Sequence, residues 1–199
     1  MNTSTFRTIK KKRCGWCEGN ALYTKYHDQE WGVPTFNDKI LFEFLLLETF
    51  QVGLSWITIL KKRNNFKKSF DYFDYNKISK YNFKKERKLL HDTSIIRNKS
   101  KIKASINNSK SFIKIKESAG SFSNYIWDFI SGKPIINSFQ KLNEIPAYTV
   151  LSEKISKDLK QKGFSFVGPT VVYSYMQAIG MVNDHLESCF RYSEVILKR

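Results

Sequence analysis

Two short segments at opposite ends of the chain constrain its fold more than anything between them. Near the start stands RCGWC (13–17), with His27 ten residues beyond Cys17. Near the end stands VNDHLESC (182–189), in which His185 and Cys189 are four apart and are expected on one helix face. Cysteine and histidine are borderline-soft ligands that suit Zn²⁺, and a structural site needs about four of them. A site drawn from residues 14–27 and 185–189 would pin the two chain ends together. Cys14 and Cys17 also admit two other readings, a redox couple or two ordinary small residues. No thioredoxin-like strand pattern precedes the pair, which weighs against the redox couple.

The 199 residues suffice for one domain, or one compact body of two lobes, with a sizeable core. Hydrophobic residues at 41% and aromatics at 15% indicate a folded chain. Apolar stretches such as LFEFLLLETF (41–50) are broken by Glu, and none reaches the roughly 18 residues of a spanning helix. No apolar segment follows the basic start MNTSTFRTIKKKR, so no secretory signal is expected. Three cysteines are too few for a disulfide framework, which makes a reducing cytoplasm the default.

Charge is unevenly spread. The total is 34 basic against 18 acidic residues, or +16. Residues 61–120 hold 18 basic and five acidic groups, while residues 14–60 hold two and six. A Lys-rich solvated surface and a polyanion-binding face both fit the basic middle. The sparing of the acidic, aromatic early segment favours the second.

The pattern is mostly helical. Asn37 or Asp38 can cap a helix through KILFEFLLLETFQ; Gly53 interrupts it, and SWITILKKRNNFKKSF resumes from Ser55. NFKKERKLLHD and RNKSKIKASINNSKSFIKIKES read as basic amphipathic helices, and SFSNYIWDFI as another, ended by Gly132 and Pro134. No period-2 strand run is found. Thr149 caps LSEKISKDLKQ, and the turn KGFSFVGPT leads into VVYSYMQAIG. A helix, a tight hairpin and a second helix can aim unpaired N–H groups at a DNA phosphate, although a plain helical corner fits the stretch equally well.

A second cluster overlaps the first. Trp16, Tyr23, Tyr26, His27, Glu30 and Trp31 are joined by Glu48, Phe50, Gln51 and Trp56. Aromatic faces beside a carboxylate suit a flat cationic guest. Each aromatic alone would pass for core. Glu48 would not, because it interrupts an apolar helix and a buried carboxylate is costly without a partner.

RCGWC, LYTKYHDQEWGVP, LFEFLLLETFQVGLSWITILKKR, GFSFVGPT and MQAIGMVNDHLESC together closely resemble the bacterial 3-methyladenine DNA glycosylase I family, from about Cys14 to Cys189. The resemblance implies an all-α helix-hairpin-helix glycosylase fold, with a single two-lobed domain over 14–199 and the hairpin near 150–180; residues 1–13 lie outside it and are expected to form a basic, flexible extension. It implies hydrolysis of the N-glycosidic bond of 3-methyladenine in double-stranded DNA, giving free base and an abasic site. One structural zinc would fall on Cys14, His27, His185 and Cys189, leaving Cys17 incidental. The base pocket would fall on Trp16, Tyr23, Tyr26, Glu48 and Trp56, with Trp31 nearby and Glu48 as the catalytic carboxylate. DNA contacts would fall on Gly163, Gly168 and Thr170. Asp184 is expected behind the zinc ligands. Bifunctional relatives carry a lysine just past the hairpin glycine, where this chain reads Gly168, Pro169, Thr170, so no lyase activity is expected. A monomer without membrane contact completes the expectation. A zinc-stapled DNA-binding module without catalysis is the rival, and it has no use for Glu48.

Overall fold

The computed structural model describes residues 11–197, so residues 1–10 of the basic extension lie outside the description. The central element is α2 (Asp38–Gln51), which follows α1 (Ala21–Gln29). Asn37 caps α2, its side-chain oxygen accepting from the N–H groups of Lys39 and Ile40. Phe42 and every residue from Phe44 to Phe50 are buried, as befits a helix apolar on nearly all sides. It packs against α3 (Trp56–Ser69), α6 (Lys99–Ala119), α7 (Phe122–Asp128) and α9 (Pro169–Ala178). The short α4 (Tyr75–Ile78) and α5 (Phe83–His91) lie on α6, and α10 (Phe190–Leu197) ends the described chain.

α2 stops at a glycine turn, where Gly53 takes φ +78°. The carbonyls left open there are met by a side chain from far along the sequence. Lys101 Nζ donates to Phe50 O at 2.8 Å and Val52 O at 2.5 Å, and Lys101 is only 5% exposed. One cation of the basic middle is therefore an internal cap and not part of an outer face.

α8 (Val150–Gln161) starts from Thr149, whose hydroxyl accepts from Ser152 N. A hairpin turn then leads to α9, which begins on Gly168 and Pro169. Gly163 takes φ +89°, and Phe164 and Val167 plug the turn into the core. α6 fixes it from the side. Asn108 donates to Ser165 O and accepts from Ser165 N at 3.0 and 2.8 Å, and Asn107 donates to Gly163 O.

The fold is mostly helical, as expected, with one small addition: β1 (Ile135–Ile136) and β2 (Val182–Asn183) pair in parallel, Ile135 opposite Val182. Two-residue strands carry no periodicity a sequence can display. One expectation is corrected: His185 and Cys189 do not sit on one helix face. They lie in the turn between β2 and α10, where Cys189 N donates to Leu186 O at 2.7 Å.

Gly180 locks the end of α9 against the α1–α2 loop. Its φ is +74°, and an added Cβ would lie 2.3 Å from Val33 C and Pro34 N. The same junction holds Gly32 N on Gln177 O at 3.0 Å and Thr35 N on Ile179 O at 3.1 Å. Gly180→Ala is therefore expected to cost roughly 3 kcal/mol or more, since backbone and not a pliable side chain must move. Chemical denaturation reads this directly, and a variant of unchanged midpoint would refute the close approach.

Candidate active site and metal centre

Cys14, His27, His185 and Cys189 converge. All four are buried, and their ligand atoms lie within 4.8 Å of one another. Cys189 Sγ is 3.5 Å from His27 Nε2 and 3.7 Å from His185 Nδ1, and Cys14 Sγ is 3.7 Å from the same Nδ1. Such a group can hold one metal ion. Cys14 comes from the start of the chain, His27 from the last turn of α1, and the other two from the turn before α10. The centre therefore does tie the two ends together.

Its surroundings orient each donor. His27 Nδ1 faces Asp28 Oδ1 at 2.8 Å, and His185 Nε2 faces Trp31 O at 3.1 Å, which fixes the nitrogen each ring turns inward. Backbone N–H groups of Leu186 and Arg191 point at the sulfurs of Cys14 and Cys189, both at 3.4 Å. The two sulfurs lie too close to ionise independently: the Cys189 thiol is held well below its ordinary value by Cys14 and the two imidazoles, while the same neighbour and burial push Cys14 upward. Arg13 grips Asp28 through Nε at 2.9 Å and Nη2 at 2.8 Å. Just before it, Lys12 O accepts from Phe190 N at 2.9 Å. Asp28 thus takes the place expected of Asp184. The Asp184 carboxylate accepts instead from Asn137 Nδ2, Tyr173 Oη and Gln177 Nε2, at 2.6, 2.6 and 2.7 Å.

Cys17 stands apart. Its Sγ donates to Cys14 O at 3.0 Å, and burial, with Asp28 nearby, pushes the thiol up to about 11. A thiol so reluctant to ionise makes a poor redox nucleophile.

Beside the metal centre opens a cavity of about 350 Å³. Trp16, Tyr23, Tyr26, Glu48 and Trp56 all line it, as do Trp31 and Gln51. Trp16 stands edge-on to both Tyr23 and Trp31 at 5.0 Å between centroids, and Tyr26 is tilted against Trp56 at 5.4 Å. Trp31 also packs against the ring of His185 at 4.6 Å and Trp16 against that of His27 at 5.3 Å. The cluster of Cys14, His27, His185 and Cys189 is thus the back of the cavity wall. Two residues of the aromatic cluster belong elsewhere. Phe50 packs with Phe66 and Phe70 in the core, and Glu30 turns away to pair with Arg63 at 2.6 Å. Leu142, Ile145, Ser174 and Gln177 complete the lining. Nothing in their sequence context singles them out, although Ser174 and Gln177 are one turn apart on α9.

Glu48 is 4% exposed and takes no hydrogen bond from any described residue. Burial alone raises its carboxyl to about 8. Trp56 Nε1 is a buried donor without a partner. An unpaired acid in an aromatic cavity is what a flat polar guest would satisfy. The expected DNA contacts are not among the residues that line this cavity. Gly168 opens outward with nothing within 4 Å of its missing Cβ, Thr170 is exposed, and exposed Gly163 holds the far side of the turn.

A mostly helical body with an aromatic, carboxylate-bearing cavity backed by a Cys₂His₂ centre defines a narrow class. The profile of the methyladenine glycosylase family matches residues 16–192, and the chain belongs to that family. It is 43% identical over 181 residues to DNA-3-methyladenine glycosylase 1 of Escherichia coli K12, covering 91% of this chain and 97% of that protein. A crystal structure of 3-methyladenine DNA glycosylase I superposes with a TM-score of 0.88 at 44% identity, covering 90% of this chain and 98% of the other. A variant of such an enzyme in complex with 3-methyladenine superposes with a TM-score of 0.87 at 32% identity, covering 89% and 96%.

Two outcomes follow from the site. Elemental analysis is expected to find one metal ion per chain in Cys17→Ser and none retained in Cys14→Ser; the reverse would exchange the two roles. Glu48 should also load the fold in a pH-dependent way. Its folded pKa of about 8 lies above the ordinary carboxyl value of 4.5, so the stability it contributes is complete below about pH 4.5 and drains away as pH rises toward 8. At pH 7 the loss is on the order of 3 kcal/mol. Glu48→Gln should match the parent near pH 4.5 and exceed it increasingly up to pH 8 in thermal denaturation. A pH-independent difference would mean that the carboxyl is not held neutral.

Proposed function

We propose that this chain hydrolyses the N-glycosidic bond of 3-methyladenine in alkylated DNA, as a monofunctional base-excision glycosylase. The observation that carries this is Glu48, a buried carboxyl with no partner, set among Trp16, Tyr23, Tyr26 and Trp56 in one cavity.

The chemistry proceeds from the guest. Methylation at N3 makes the adenine ring cationic, so it is already a good leaving group and needs no strong general acid. The base must leave the stack to be reached. In the cavity, aromatic rings bind its faces, and the arriving cation draws Glu48 into its ionised form. The carboxylate then accepts from the exocyclic amino group. Guanine presents an acceptor O6 at that edge and would be repelled. As the bond breaks, positive charge moves to the sugar, where the DNA phosphates can stabilise it until water adds. The cavity lining contains no lysine, and Thr170 follows the hairpin, so no Schiff base and no lyase step are proposed.

The metal is proposed to be zinc. Zn–S bonds of about 2.3 Å and Zn–N bonds of about 2.0 Å place tetrahedral S and N ligands about 3.5 Å apart, close to the spacings of the four donors. Four protein ligands leave no open position, so its role is structural: it holds the aromatic wall. The α8–turn–α9 unit is read as a helix-hairpin-helix, in which N–H groups at the start of α9 and the turn around Gly163, Gly168 and Thr170 receive a phosphate of duplex DNA. The domain is read as the two-lobed body 14–199, acting as a monomer in the reducing cytoplasm that three cysteines outside any disulfide suit. Among the described residues, no helix is long and apolar enough to cross a membrane.

Incubation with methylated duplex DNA, followed by chromatography of released bases, tests the reading. Free 3-methyladenine is expected, with little or no 7-methylguanine. Glu48→Gln should stay folded and keep its metal yet lose about 1–3 kcal/mol of affinity for the free base in calorimetry. Release of no base by the parent would favour the non-catalytic DNA-binding module. Unchanged affinity in the folded variant would remove Glu48 as the reader.

A further inference from the structure

The fold uses up several cations of residues 61–120. Lys101 caps α2, and Lys62 Nζ donates to Ser94 O at 3.0 Å. Arg63 bridges Glu30 and Glu43, Lys85 pairs with Asp71, and Lys116 with Asp38. The outer face of α5 is different. Phe83, Lys84, Arg87, Lys88 and His91 recur at helical spacing, are all exposed, and line a shallow cleft of about 630 Å³ with Asp92. Among the described residues, Lys84, Arg87 and Lys88 have no carboxylate within ion-pair distance. The one acid in the cleft is occupied, since Asp92 accepts from Ser69 Oγ, Ser94 N and Ser94 Oγ. Phe83 lies 5.8 Å from the Arg87 guanidinium and holds it across its ring.

The position of this face matters as much as its charge. The segment after α5 leads through exposed Arg97 and Lys99 into the start of α6. Two residues on, Lys101 bonds the end of α2 that carries Glu48 and Gln51. Slightly further along α6, Asn107 and Asn108 bond the α8–α9 turn. One stretch of one helix thus joins the basic face, the cavity-lining end of α2 and the hairpin.

We propose that the outer face of α5, extended by Arg97 and Lys99, is a second DNA-backbone surface, which holds duplex flanking the lesion. This rests on the glycosylase reading above. Residues four apart advance about 6 Å along a helix, close to the roughly 6.8 Å that two nucleotides of one strand advance along DNA. A lipid surface would need a broad apolar face, whereas Phe83 is the single exposed apolar side chain here and Leu89 faces the core.

The test is a triple variant, Lys84→Gln with Arg87→Gln and Lys88→Gln, in the full chain. A control removes the same charge from exposed positions on α3: Lys61→Gln, Lys67→Gln and Lys68→Gln. The readout is the slope of log affinity for undamaged duplex against log salt. The α5 variant is expected to flatten the slope by about 2–3, near 0.9 per lost phosphate contact, and the control by clearly less. Affinity for free 3-methyladenine should not move in either. An α5 variant with the parental slope overturns the proposal, as does a control that flattens it equally, since net charge alone would then be acting. Loss of binding to acidic phospholipid vesicles with duplex binding intact would reassign the face to lipid. A parent that binds no duplex and releases no base refutes the glycosylase reading itself, an outcome separable from all of these.

Discussion

The constraint on which the rest depends is the meeting of four ligand atoms from the two ends of the chain. Within 4.8 Å lie groups separated by up to 175 positions, from Cys14 to Cys189. Closing so long a loop is entropically expensive for an unrestrained chain. The return is positional. His185 Nε2 is bonded to Trp31 O, and Trp16 and Trp31 pack on the two imidazoles. Those indoles are cavity wall. Arg13 and Asp28 complete the assembly by setting the His27 ring, so the basic segment before the domain also reaches the site.

Against that rigid wall stands a group the fold would prefer to lack. Glu48 is held in α2 with no cation and no donor among the described residues, and its carboxyl is forced toward neutrality by burial. Other partly or fully buried acids find partners: Asp38 takes Lys116, Asp71 takes Lys85 and Tyr81, and Asp184 takes three neutral donors. A buried carboxyl without a partner among the described residues is the kind of local instability expected where a ligand supplies the missing partner. Lys101 keeps α2 from fraying at the turn that carries it.

Much of this was legible in the sequence because it is local. Asn37 capping an apolar run, Thr149 before LSEK and Gly53 after FQV are short-range signals, and each marks the boundary observed. Glu48 was legible because a charge inside an apolar helix is a contradiction in one dimension. The features that escaped are set by distant partners. The spacing of His185 and Cys189 suggests a helix, yet Cys14, His27 and the packing of Trp31 hold them in a turn. Asp184 looks like the carboxylate behind a ligand because it adjoins one, but Asn137, Tyr173 and Gln177 take it first. Ser174 and Gln177 give no sign of facing the cavity, because a helical stripe of Val, Tyr, Ser, Met and Gln reads as core from any side. The parallel pairing of Ile135 with Val182 exists only because the intervening helices fold back between them.

Charge acts here on two length scales, and they have opposite signs. Across the whole molecule the excess is +16, a field that attracts a polyanion at distances up to about the Debye length of 8–10 Å. Inside the cavity the ionisable side chains are Glu48 and tyrosines, and burial together with Glu48 raises Tyr23 and Tyr26 further from ionisation. A cation placed there would oppose a cationic base; a permanently ionised acid would oppose the phosphates that must come near. A carboxyl kept neutral until a cation arrives meets both demands. It adds no standing negative charge to the approach of DNA, and on the reading proposed above it would gain one when the methylated ring supplies the reason to ionise. The sparing of residues 14–60 from the basic excess is thus the electrostatic condition for a site that accepts a positive base from a negative polymer.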